Sequence, residues 1–219
     1  MAVRTAAGLA AVALFLFIPA GRLDYWQGWV YLGLSLAVLL VTGWALRGDP
    51  QLIEERLRPG AGMKTWDKWY FAVSTPLYLV MLVIAGLDAG RYGWSGALPA
   101  WVYGIGTVAF LTGQGIFLWA KRANSFFASV VRIQSERGQT VCKEGPYRFI
   151  RHPGYLGGLL FGVSSPLVLG SLWALIPAVL AAALLVARTL LEDRTLQAEL
   201  DGYTAYTREV KYRLLPGLW

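Results

Sequence analysis

Charge is what this sequence has least of. Asp, Glu, Lys and Arg make up 15% of its 219 residues, whereas a soluble domain carries about a quarter. That shortage excludes an ordinary water-facing surface. Cysteine and histidine are scarcer still, with one of each. A lone Cys142 excludes an intramolecular disulfide, and Cys142 with His152 is too little for a Cys/His metal cluster, so no metal is expected. Also missing are internal repeats, low-complexity tracts and the glycine-rich strand-to-helix fingerprint that cradles a dinucleotide.

What is present is apolar: 56% of residues are hydrophobic, ten are tryptophan, and the mean hydropathy is +0.48. The few charges sit in blocks separated by charge-free runs at Thr5 to Gly21, Tyr25 to Leu46, Trp69 to Leu87, Tyr92 to Ala120 and Pro153 to Ala187. An apolar helix of about 20 residues spans the hydrocarbon layer, so each of the first four runs holds one crossing. The fifth run is too long for a single span, and Pro166, Gly170, Ser171 and Pro177 interrupt it. It reads as a hairpin of two rather short helices. Open strands would leave backbone polar groups unpaired in lipid. The expectation is an all-α integral membrane protein of about six transmembrane helices, with a cytoplasmic loop and a C-terminal amphipathic helix forming the active site.

Basic residues set the orientation. With the N-terminus inside, 18 of the 20 Lys and Arg fall on the cytoplasmic side and only Arg22 and Arg91 outside, a strong positive-inside bias. Only Arg4 flanks the first run, and Ile18-Pro19-Ala20-Gly21 is a poor cleavage site, so this run is read as a retained helix. The formal charge of +7 then describes an inner face against anionic lipid, where each basic residue contributes about 1 kcal/mol. Membrane lipid is the expected partner; nucleic acid is not.

Polar residues collect in two inner loops and the tail. In the first loop, Leu52 to Leu57 suggests a short amphipathic helix stopped at Pro59-Gly60, and Trp66 and Trp69 bracket Asp67 and Lys68 as an interfacial anchor. The second loop carries Asn124-Ser125-Phe126-Phe127, Gln139-Thr140-Val141-Cys142, Gly145-Pro146-Tyr147-Arg148 and Arg151-His152-Pro153-Gly154-Tyr155. Pro153 suits the first turn of a helix, and a helix N-terminus offers free N–H groups to an anion. Arg151 and His152 fit a lipid-boundary marker as well as a site, and Cys142 fits an apolar filler. In the tail, Arg188 and Glu192 lie four apart on one helix face, open to a surface ion pair or to a shared site. Leu196, Leu200, Tyr203, Tyr206 and Val210 continue an apolar stripe, for a helix on the membrane surface or folded back over the inner loops.

Gly145-Pro146-Tyr147-Arg148, Arg151-His152-Pro153-Gly154-Tyr155 with Gly157, the hairpin, Glu192-Asp193-Arg194-Thr195-Leu196, and Tyr203 with Tyr206 occur in that order. From about Asn124 to Trp219 the sequence resembles isoprenylcysteine carboxyl methyltransferases and related membrane phospholipid methyltransferases. The charge-free runs put an N-terminal four-helix membrane part at 1–120, and the resemblance implies a methyltransferase core at 121–219. It implies S-adenosylmethionine bound on the cytoplasmic side by Gln139, Thr140, Val141, Cys142, Tyr147, His152, Pro153, Gly154, Tyr155 and Glu192. Arg188 and Glu192 are then the catalytic pair, with Arg188 at the methyl acceptor, a lipophilic or prenylated molecule. The family commonly has Glu-Glu where this chain has Glu192-Asp193, which leaves both acids as candidates. A carboxylate, a phospholipid amine and a thiol all remain possible acceptors. The non-enzymatic rival is a small membrane scaffold or transporter subunit, although transport sites usually gather polar groups at the midplane.

Overall fold

The computed structural model describes residues 2–47 and 62–219. The short helix expected at Leu52 to Leu57 lies outside the described residues. Among those described, all regular structure is helical: α1 (Ala2–Ala20), α2 (Trp26–Ala45), α3 (Thr65–Ala85), α4 (Ala100–Ala123), α5 (Pro153–Val168), α6 (Leu175–Glu199) and α7 (Tyr203–Glu209). A π-helical stretch, Gly86–Tyr92, prolongs α3, and short 3-10 turns occupy Ser135–Arg137 and Gly145–Arg148.

Four of these helices are long and apolar enough to cross a membrane: α2, α3 with its π-helical extension, α4 and α6. Their outward faces carry large apolar side chains with nothing over them, including Leu40 and Val41 on α2, Val108 on α4, and Val179 and Leu180 on α6. In water such a surface would drive aggregation; against acyl chains it is the expected exterior. The hairpin read at 153–187 is present but unequal. Its first helix has 16 residues, while the second has 25 and runs beyond the apolar stretch to Glu199.

Lipid offers no hydrophobic drive for helix association, so close backbone packing must supply it. At the crossing of α4 and α5 two glycines meet: a Cβ on Gly157 would lie 2.6 Å from the Gly113 carbonyl oxygen, and one on Gly113 would lie 2.7 Å from that of Gly157. Toward the opposite end from the inner loop, Leu16, Tyr25, Tyr31, Met81, Phe110 and Leu169 form the main apolar core. Asp88 is buried there. It accepts hydrogen bonds from Ser95 N at 2.7 Å, from Ser171 Oγ at 2.7 Å and from the Ser95 hydroxyl, tying the π-helical stretch to the α5–α6 turn.

The C-terminal stripe is continuous in burial but not in backbone. Leu200, Tyr203 and Tyr206 are buried together against Ile133, Val141, Leu196 and Val210, so the tail folds over the inner loop. The helix itself breaks at Gly202, which has φ +81°, a conformation that glycine adopts without strain. Helical periodicity survives the break because α7 resumes at once.

Gly157→Ala should force α4 and α5 apart and lower stability by about 1 to 3 kcal/mol, read by thermal unfolding in detergent. Gly115→Ala on α4 is the control, because a Cβ there meets nothing within 4 Å and should leave the midpoint unchanged or slightly raised.

Candidate active site

The site begins at the N-terminus of α5. Pro153 opens that helix, as its fixed φ favours, and His152 is the residue before it. The tail crosses this junction as an extended strap: Arg151 N donates to Tyr212 O and His152 N to Arg213 O, both at 2.9 Å. The Arg151 guanidinium reaches the carbonyls of Val210 and Lys211 at 2.8 Å each.

Asp193 on α6 gathers these pieces. Fully buried, it pairs with Arg151 through Nε at 2.8 Å and Nη2 at 3.1 Å, and with Arg213 Nε at 2.9 Å. His152 Nε2 lies 3.1 Å away. Tyr203 OH donates at 3.0 Å and Gln197 Nε2 at 2.9 Å. Burial, and then the negative charge of Asp193, push the Tyr203 hydroxyl far above its ordinary range, so it remains a donor. With its acceptor capacity taken up, Asp193 has a structural position.

Glu192 is the opposite case. It is half-buried, its carboxylate accepts from the Tyr155 hydroxyl, and it faces a cleft of about 810 Å³ including the open mouth. The loop from Asn124 to Cys142 forms the facing wall. That wall is braced from within: Gln134 Nε2 donates to Phe126 O at 2.7 Å, Gln134 N to Gln139 Oε1 at 2.6 Å, and Phe126 N to Asn124 Oδ1 at 2.9 Å. Tyr206 OH closes the base by donating to Tyr147 O at 2.7 Å. Burial raises the Tyr147 and Tyr206 hydroxyls, keeping both protonated.

Gln139, Thr140, Val141, Cys142, Tyr147, His152, Gly154, Tyr155 and Glu192 all line this cleft. Pro153 does not; it is fully buried beneath the lining. Arg188 also stands off the cleft, one ring away, with its Cζ 5.2 Å from the centre of Tyr155. Its ion-pair partner is Asp67 rather than Glu192: Nε and Nη2 lie 2.7 and 3.1 Å from the two carboxylate oxygens.

Three features escaped the sequence reading. Asp67, taken as part of an interfacial anchor, is turned fully inward; the signal was an acid in the first turn of a membrane helix, where an unpaired charge is costly. Arg213 carried no motif at all. Asn124, Phe126 and Phe127 were singled out as a cluster but given no role, and all three line the cleft.

The neighbouring acids should therefore separate experimentally. Asp193→Asn strands two guanidiniums and should cost about 3 to 5 kcal/mol of stability, whereas Glu192→Gln should leave the unfolding midpoint nearly unchanged. Burial also pushes the Cys142 thiol above its usual range. Its alkylation by iodoacetamide should stay slow through neutral pH and accelerate only as the thiolate forms in strongly alkaline buffer, a profile readable by mass spectrometry.

None of the curated proteins compared matches the chain. The model of the isoprenylcysteine carboxyl methyltransferase (ICMT) family matches residues 105–198, a stretch that takes in most of α4, the cleft-forming loop, α5 and nearly all of α6. Across the segment that builds most of the cleft, this membrane protein is thus similar to the isoprenylcysteine carboxyl methyltransferase family, which supports a membrane methyltransferase of the isoprenylcysteine type.

Proposed function

We propose that the protein is an S-adenosylmethionine-dependent integral membrane methyltransferase that acts on a lipophilic acceptor at the cytoplasmic face, with an isoprenylated-cysteine carboxylate as the preferred acceptor class. One observation carries this reading. Residues from the loop, from the start of α5 and from α6, each named by the family resemblance for cofactor binding, line a single cleft.

The cleft suits the cofactor. Phe126, Phe127, Val130 and Leu196 supply apolar wall for a purine. Glu192 has a carboxylate with one side-chain partner, leaving lone pairs for ribose hydroxyls or an amino group. When bound, S-adenosylmethionine supplies a methyl group on a sulfonium, whose C–S bond breaks as a carboxylate oxygen of the acceptor takes the methyl. No proton moves in that step, so the protein needs no general base. Its residues position and exclude water. Tyr155 donates to Glu192 and holds it at the cleft, and Arg188 on the far side of that ring offers a cation matched to an anionic headgroup.

In this reading α1 and α5 add two crossings to the four longer helices, making six. The 18 to 2 distribution of basic residues supports a cleft that faces the cytoplasm. The acceptor enters sideways from lipid and the cofactor from the cytosol.

The test supplies radiolabelled S-adenosylmethionine with a prenylcysteine analogue, a lipid extract and simple thiols, and identifies the labelled product. Base-labile label on the prenylcysteine analogue is expected; label on a lipid amine or a thiol would replace the acceptor assignment. Glu192→Ala should weaken cofactor binding by about 1 to 3 kcal/mol, and unchanged affinity in a folded variant would remove Glu192 from the site.

A further inference from the structure

Asp67 lies outside the matched stretch and outside the cleft, yet parts of the site converge on it. It is fully buried in the first turn of α3. One carboxylate oxygen accepts from Arg188 Nε at 2.7 Å. The other accepts from Arg188 Nη2 at 3.1 Å and from Val131 N at 2.8 Å. Lys64 N donates to Val131 O at 3.2 Å, so the start of α3 grips both backbone groups of a residue in the cleft wall.

Arg188 is held as a plane rather than as a point. Ser129 O accepts from Nη2 at 2.9 Å, and the Tyr70, Phe71 and Tyr155 rings surround the guanidinium with centres 4.6, 4.9 and 5.2 Å from Cζ. The guanidinium bonds to Asp67 and Ser129 use Nε and Nη2, and Nη1 takes no part in them. A forked cation gripped along one edge has its other edge fixed in direction.

We infer that Asp67 is the positioning residue for Arg188, aiming the remaining edge of the guanidinium at the acceptor headgroup, and that α3 is therefore part of the functional site. The inference rests on the reading of Arg188 as the acceptor-side cation. Substituting Asn for Asp67 removes the charge and turns an amide NH₂ toward groups that are themselves donors, so the clamp opens while side-chain volume is kept.

The experiment uses the full chain in detergent, labelled with ¹⁵N-arginine. The Arg188 Nε–H resonance is assigned by its loss in Arg188→Lys. Asp67→Asn should shift that resonance and speed its exchange with water. The same variant should lower kcat/KM for a prenylcysteine acceptor by about 10- to 100-fold, with S-adenosylmethionine affinity retained. Adding Asp67→Asn to Arg188→Gln should cost nothing further, because the two residues act as one unit. An unchanged arginine resonance overturns the inference whatever the activity. Parallel losses of cofactor affinity, acceptor turnover and thermal stability overturn it too, since they describe a merely structural pair. If the wild type methylates no acceptor, the proposed function fails, while the resonance still decides whether Asp67 fixes the guanidinium. Should Asp67→Asn not fold, Asp67→Glu keeps the charge but displaces it, and the same selective loss in acceptor kcat/KM is expected of it.

Discussion

One buried carboxylate organises the cleft end of this protein. Asp193 is enclosed by two arginines, a histidine, a tyrosine and a glutamine drawn from the loop, α6, α7 and the tail. Such a group is expensive to bury and tolerable only when its acceptor sites are filled. Every one of those partners is thereby fixed in direction, because withdrawing any of them leaves charge unpaired in a site with little water. The start of α5, which brings His152 and Tyr155 to the cleft, and α7, which closes its base, hang from this single point.

Among the described residues three acids are fully buried, Asp67, Asp88 and Asp193, and they are satisfied in two ways. Asp88, at the far end, takes neutral donors from serines and a backbone N–H, which stitches turns together without bringing in another charge. Asp67 and Asp193 take guanidiniums. Arginine is the cation suited to this setting, being planar, always charged and more weakly hydrated than lysine. The result is a molecule whose buried guanidinium–carboxylate pairs lie at one end and whose middle is held by apolar contact and by the glycine crossing of α4 and α5.

Much of this was legible in the sequence because lipid imposes simple rules. Charge-free runs of the right length became α2, α3, α4 and α6, and Pro153 opened its helix where a proline costs least. The cleft lining was legible at Gln139 to Cys142, Tyr147, His152, Gly154 and Tyr155 through motif resemblance, not through periodicity. What stayed hidden was pairing. Asp67 and Arg188 stand 121 positions apart, and nothing local marks either as the other's partner; an i, i+4 rule suggested Glu192 for Arg188, and tertiary packing overrode it. The break at Gly202 was hidden for a different reason, since an apolar stripe records which residues are buried and is blind to a turn that preserves their phase.

Glu192 and Asp193 show how adjacent residues of similar chemistry acquire different work. Successive positions on an α-helix point about 100° apart, so on α6 one acid must face the cleft if the other faces the tail. The shorter side chain is the one enclosed, where a rigid carboxylate meets several donors at fixed distance. The longer one reaches into the open cleft, where it can follow a ligand. Reversing the order would place a flexible acid in the crowded hub and a short one at the edge of the cavity, to the detriment of both. The Glu-Asp order here fits the tight shell of Arg151, Tyr203 and Arg213. The buried hub and the cleft wall thus draw on separate side chains one residue apart, and the bonds that hold the fold need not be disturbed when the cleft is filled.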